Sequence, residues 1–204
     1  MCLAALAVLK NGVLERTDGV AGCDTAFVPI SEPVFQAASL GKPVFAYAVL
    51  KLAQQGMLDL DRPLVDYLPQ GYGHVQNWNA GNSNRATDTV TAPELQAVTV
   101  RMVLLHTSGL PDWAGGPLTF QSKPGTRWNY SGEGFVLLQK AVEAATGLTL
   151  QTLMQQQVFE PLGMAHSSYA ADEALVAQLA PGTLPGGKVI RPPRCCRRSP
   201  RSRS

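Results

Sequence analysis

From Val44 to Ala53 the chain reads Val-Phe-Ala-Tyr-Ala-Val-Leu-Lys-Leu-Ala, ten residues with the single charge of Lys51. A helix with almost no polar face has nothing to offer water, so this run predicts a central, buried helix with partners on most sides. The spacing places it from Ser39 to about Gln55, with Gly56 as its stop. Any fold of this chain has to be built around it. At 204 residues and 45% hydrophobic content, there is enough chain for one large domain or two small ones.

The rest of the sequence reads as elements of ordinary size. Ala5–Leu9 and Val13–Glu15 flank Lys10-Asn11-Gly12 and predict a β-hairpin, because Asn-Gly takes the positive-φ turn conformation readily. Leu60, Leu64, Val65 and Leu68 fall at helical spacing ahead of Pro69. Residues 70–96 are polar, with three glycines and closely spaced asparagines, and predict a long surface loop. Thr99 can cap a helix running from Val100 to His106. A further helix follows Tyr130-Ser131 as far as Thr146, with Gly147 beyond its end, and another spans Thr149 to Phe159. No internal repeat is present.

The formal net charge of +2 misrepresents the body of the chain. Residues 191–204 hold six arginines and no acid; without them 11 basic residues face 15 acidic ones, a net −4. The body is mildly acidic and offers no basic face for nucleic acid. Residues 187–204 lack apolar periodicity and read as a basic disordered tail, best explained as sequence read out of frame. As an Arg/Ser-type nucleic-acid binder the tail is short and has no interleaved aromatics, so no nucleic-acid partner is expected. Cys2, Cys23, Cys195 and Cys196 fit neither a zinc site nor a disulfide framework and read as free thiols. Met1–Leu9 lacks the basic start and cleavage site of a signal peptide, and no apolar run is long enough to cross a bilayer. The chain as written therefore reads as cytoplasmic, its true compartment open.

Chemistry enters at Ser39-Leu40-Gly41-Lys42. A serine hydroxyl is a weak nucleophile at neutral pH and needs an adjacent base. Spacing of i and i+3 on a helix's first turn puts hydroxyl and amine on one face. The turn's unpaired backbone N–H groups favour developing negative charge. Burial would lower the amine's pKa and make Lys42 a better proton acceptor. A Ser-x-x-Lys alone arises by chance about once in such a chain; further segments carry the case.

Phe35-Gln36-Ala37-Ala38-Ser39-Leu40-Gly41-Lys42-Pro43 resembles the nucleophile segment of class C β-lactamase-like proteins. Gly56-Met57-Leu58-Asp59-Leu60-Asp61, Leu104-Leu105-His106-Thr107-Ser108-Gly109-Leu110, Pro124-Gly125-Thr126-Arg127-Trp128-Asn129-Tyr130-Ser131 and Pro161-Leu162-Gly163-Met164 follow in the family's order. The likeness extends over about residues 5–170. It groups the chain with β-lactamase-related serine hydrolases: class C β-lactamases, D-amino-acid-specific peptidases and β-lactamase-like esterases.

That resemblance implies an α+β fold of the β-lactamase/transpeptidase type, a helical domain beside an antiparallel sheet. The chain is expected to hold a partial domain over residues 1–186, with most C-terminal sheet strands missing. It also implies acyl transfer through an acyl-serine on an ester, amide or β-lactam-like small molecule, without metal or cofactor. Ser39 would be the nucleophile, Lys42 its activating partner, and Tyr130 the third catalytic residue, at the tyrosine of the family's Tyr-x-Asn motif. Two departures stand out. Gly132 replaces the motif's asparagine, leaving Glu133 as the nearest group to take over the lysine contact, and the loss leans away from β-lactams towards other esters or amides. The family's third motif, a Lys-Thr-Gly-like or His-x-Gly strand, is expected beyond this resemblance, with Gly186-Gly187-Lys188-Val189 a poor substitute for it. An inactive fragment of the same family is the competing expectation. His106 reads as part of a fold signature, while His74 and His166 stand isolated, without the neighbours a metal site needs.

Overall fold

The computed structural model describes residues 3–21, 34–76, 86–170, 173–183 and 189–190. Two compact units emerge: residues 39–169, and the chain on either side of them.

The 39–169 unit is helical. A 3-10 turn at Ala38–Leu40 leads into α1 (Gly41–Gln54), which buries Phe45, Ala48, Val49 and Leu52, the i, i+3, i+4, i+7 face of a helix. The expectation of burial on most sides is corrected here. Tyr47 and Leu50 stay exposed, and Lys51 lies over the Tyr47 ring while its Nζ donates to the Gln157 carbonyl at 2.7 Å. An ammonium over the face of an exposed aromatic ring is a favourable contact that needs no apolar partner.

Against α1 pack α4 (Leu150–Met154) and the π-helical turn Gln155–Phe159. A second helix pair, α2 (Val100–Leu104) and α3 (Gly132–Thr146), contributes Val100, Val103, Leu137, Leu138, Ala141 and Val142 to the same core. The cap predicted at Thr99 is in place, and Ser131 and Thr149 cap their helices in the same way. Thr99, Ser131 and Thr149 each accept a hydrogen bond from a backbone N–H three residues on, and Gly147 closes α3 at φ +70°.

Two segments differ from expectation. Between Asp59 and Leu68 only Leu64–Tyr67 forms a 3-10 turn, because Pro63 lacks the N–H that would carry a longer helix through it. Residues 70–96 are not all surface loop. Gly73–Val75 (β3) pairs antiparallel with Thr87–Thr89 (β4), and Tyr72 and His74 are almost completely buried. Residues 77–85 between them lie outside the described residues.

The other unit holds the predicted hairpin. Leu3–Lys10 (β1) pairs with Val13–Ala21 (β2) through Asn11 (φ +51°) and Gly12 (φ +77°), with a register shift at Val8/Leu9. It also contains a short helix Glu173–Gln178 (α5), the pair Gly182–Thr183 (β5) and Val189–Ile190 (β6), and a parallel bridge from Val34 to Leu179. Gly186–Lys188 and residues 191–204 lie outside the described residues, so of the expected basic tail only Val189–Ile190 is described.

Candidate active site

The chain enters the Ser39 turn through Ala38 at φ +46°, a left-handed conformation that costs a non-glycine residue about 1–2 kcal/mol. Pro43 suits the first turn of α1, where its missing N–H has no helical partner. Ser39 is left exposed, with Lys42 half-buried one turn on. Lys42 Nζ donates to Ser39 Oγ at 3.2 Å, the contact that the i, i+3 spacing predicts. Tyr169 steadies this turn: its hydroxyl donates to the Gly41 carbonyl at 2.5 Å. Burial pushes that phenol up to about 12, outweighing its hydrogen bond with the Phe45 backbone, so it stays a donor.

Tyr130 comes from a different part of the chain. Segment 110–114 runs alongside 129–133 and is stitched to it at successive positions. Asn129 Nδ2 donates to the Leu110 carbonyl at 3.3 Å, and Ser131 Oγ to the Pro111 carbonyl at 2.9 Å. The Gly132 N–H donates to Asp112 Oδ1 at 3.2 Å, the Glu133 N–H to the Asp112 carbonyl at 3.0 Å, and the Ala114 N–H to Glu133 Oε1 at 2.9 Å.

His106 forms the floor. Its ring lies 4.6 Å from the Tyr130 ring and 5.3 Å from that of Phe135, and its Nδ1 accepts the Ser131 N–H at 3.1 Å. That bond requires an unprotonated Nδ1. Burial and the nearby charge of Lys42 hold the imidazole below its usual range, against a smaller opposite pull from Asp112.

Lys42 Nζ lies 4.9 Å from the centre of the Tyr130 ring. Hydrogen bonds from Lys42 and then Ser39 hold the Tyr130 phenol below its ordinary range. The structure thus brings Tyr130 beside the hydrogen-bonded Ser39–Lys42 pair, although Tyr130 is 91 residues from Ser39. A hydroxyl, an amine and an acidified phenol grouped side by side can pass a proton among themselves while one oxygen attacks. Among the described residues no cluster of histidine, cysteine and carboxylate side chains is arranged to hold a metal.

The beta-lactamase family model matches residues 4–197. The chain belongs to the beta-lactamase family.

It is 28% identical to penicillin-binding protein 4 of Amycolatopsis lactamdurans over 87% of this chain and 47% of that protein. It is 26% identical to esterase EstB of Burkholderia gladioli, over 83% of this chain and 47% of the esterase. The fold is that of D-alanine carboxypeptidase AmpC from Burkholderia cenocepacia, with a TM-score of 0.69 at 21% identity over 93% of this chain and 50% of the other. The chain therefore spans about half the length of the curated relatives it matches. The α+β, β-lactamase/transpeptidase-like expectation agrees with both the family match and the fold.

Within this family member, Gly132 has a local reason. A Cβ there would lie 2.6 Å from the Asp112 carbonyl oxygen, 2.9 Å from Asp112 Oδ1 and 3.0 Å from the Trp113 ring. No side chain fits while segment 110–114 lies so close. Glu133 does not turn to Lys42 as expected. It is buried, accepts from Ala114, and places Oε2 3.4 Å from His74 Nε2. His74 is therefore not isolated: its Nδ1 also lies 3.0 Å from Asp88 Oδ1. Burial pushes the Asp88 carboxyl up, but hydrogen bonds from His74 and Gln76 and the histidine's charge outweigh it, leaving the group below its usual range. This trio, with His74 and Glu133 buried and Asp88 half-buried, ties the β3–β4 hairpin to the first turn of α3, directly after Tyr130. Sequence reasoning missed His74 because its partners are 14 and 59 residues away. The one local signal nearby was Ser131, a cap residue ahead of an apolar run.

Proposed function

We propose that this chain carries the acyl-transfer site of a serine hydrolase, with Ser39 as nucleophile, Lys42 as its activating partner and Tyr130 as the proton shuttle. Lys42 and Tyr130 together take the hydroxyl proton as Ser39 Oγ attacks the substrate carbonyl carbon. The Ser39 N–H, in the 3-10 turn that leads into α1, is one donor to the oxyanion. Tyr130 returns the proton to the leaving oxygen or nitrogen as the acyl bond breaks, and water then releases the acid from the acyl-serine. The observation that carries this reading is the 3.2 Å contact of Lys42 Nζ with Ser39 Oγ, with the Tyr130 ring centre 4.9 Å from the same Nζ.

The substrate class is an ester or amide rather than a β-lactam, because no amide side chain can stand at position 132 to bind a substrate carbonyl. That relatives include proteins named as an esterase and a penicillin-binding protein supports acyl chemistry of this breadth. Labelling with a fluorophosphonate, followed by mass spectrometry of the peptides, tests the assignment. Label on Ser39 that disappears in Ser39→Ala supports it. Label elsewhere, or a folded chain that takes none, overturns it and leaves a non-catalytic member of the family.

A further inference from the structure

Resting on the acyl-serine reading, we propose that Asp112 is a specificity-determining residue that selects acyl groups bearing a cationic substituent, such as an ammonium, and repels those bearing a carboxylate. The argument starts from the close approach that excludes a side chain at position 132. The groups filling that space are the carbonyl and carboxylate of Asp112, the latter held by the Gly132 N–H at 3.2 Å. Where a neutral amide would begin, this chain presents a negative charge two residues from Tyr130.

The position of that charge is well determined. Asp112 is joined to the Tyr130 segment through both its carbonyl and its side chain, with Ser131 Oγ on the preceding carbonyl of Pro111. Yet Asp112 is exposed, in contrast to the buried Glu133 beside it. Its charge acts on Tyr130, whose ring centre lies 4.9 Å from Lys42 Nζ, and on His106, whose ring packs on that of Tyr130. An acyl carbonyl placed at Ser39 Oγ, with its leaving group at the Tyr130 hydroxyl, therefore has Asp112 within electrostatic reach of its substituents. The Asp112 carboxylate matches an ammonium there and opposes a second carboxylate. Across a few ångströms near a protein surface such a contact changes transition-state binding by about 1.4 kcal/mol, or about tenfold.

The test uses three p-nitrophenyl esters of similar length on the full chain: 4-aminobutyrate (cationic), pentanoate (neutral) and hemiglutarate (anionic). In the unaltered protein kcat/KM should fall in that order, and the spread should shrink in high salt. Asp112→Asn, which keeps an oxygen for the Gly132 N–H, should lower the cationic-to-neutral ratio about tenfold and raise the anionic-to-neutral ratio. Asp112→Glu should restore the preference. The ratios are unaffected by loss of folded protein, which scales all three rates alike. Ser39-dependent hydrolysis with the same charge ratios in Asp112→Asn overturns this inference alone. Absence of Ser39-dependent hydrolysis with every ester overturns the acyl-serine reading and this inference with it.

Discussion

In the 39–169 unit Ala48, Val49, Leu52, Leu64, Leu137 and Leu138 are wholly shielded from solvent, whereas in the β1–β2 hairpin Leu6 is 54%, Leu9 66%, Val13 68% and Leu14 58% exposed. The side chains are of the same kind, so hydrophobicity alone does not separate the regions. What separates them is layering. The helical unit brings together helices far apart in sequence, and each apolar stripe meets another. The hairpin joins two segments adjacent in sequence, and a two-stranded ribbon provides pairing but no opposing layer. The groups proposed to do chemistry all lie in the layered region, where neighbours far apart in sequence can hold them to fractions of an ångström.

The contrast can be broken at several points. The largest effect should come from Lys42→Ala, which should slow acylation of Ser39 by about 10²–10⁴-fold, the usual worth of a positioned proton acceptor, without lowering the melting temperature. A large fall in stability instead would make Lys42 part of the packed region rather than of its chemistry. Next, Leu52→Ala should destabilise the protein by about 2–5 kcal/mol in urea unfolding, since it opens a cavity between α1 and its neighbours. Gly132→Ala should cost about 1–3 kcal/mol, because its new methyl must push the Asp112 carbonyl away, and should disturb Tyr130 at the same time. A fully stable Gly132→Ala protein would show that segments 110–114 and 129–133 are not locked together.

A subtler effect concerns pH. The folded-state pKa of His106 lies below its unfolded value of about 6.5, so its contribution to stability is present above that pH and lost as pH falls through the folded value. Acid should therefore weaken the Ser131–His106 bond and, with it, the seating of Tyr130. His106→Asn keeps a hydrogen-bond acceptor and tolerates the φ of +56°, so it should flatten the acid limb of the acylation profile. An unchanged acid limb would assign it to another group. The smallest effect is expected at Leu9→Ser, within about 0.5 kcal/mol of the parent, because an exposed side chain with no opposing layer has little to lose. A large loss there would mean that the hairpin is covered in the working protein, and the contrast between regions would vanish.

Much of this molecule was legible without coordinates, and the legible parts share a range. The Asn11-Gly12 turn, the cap at Thr99, the Gly147 stop and the Ser39–Lys42 pairing each involve residues within four positions of one another. Short-range backbone and side-chain geometry decides such features wherever the segment occurs. The tertiary structure decided the rest. Which face of α1 meets the core, why position 132 admits no side chain, and why His74 and Glu133 are buried together all depend on segments separated by tens of residues. No local rule places Asp112 against Gly132 or His106 beneath Tyr130. Those contacts exist because α2 and α3 pack on one core, and the chain leaving α2 and the chain entering α3 must then run side by side.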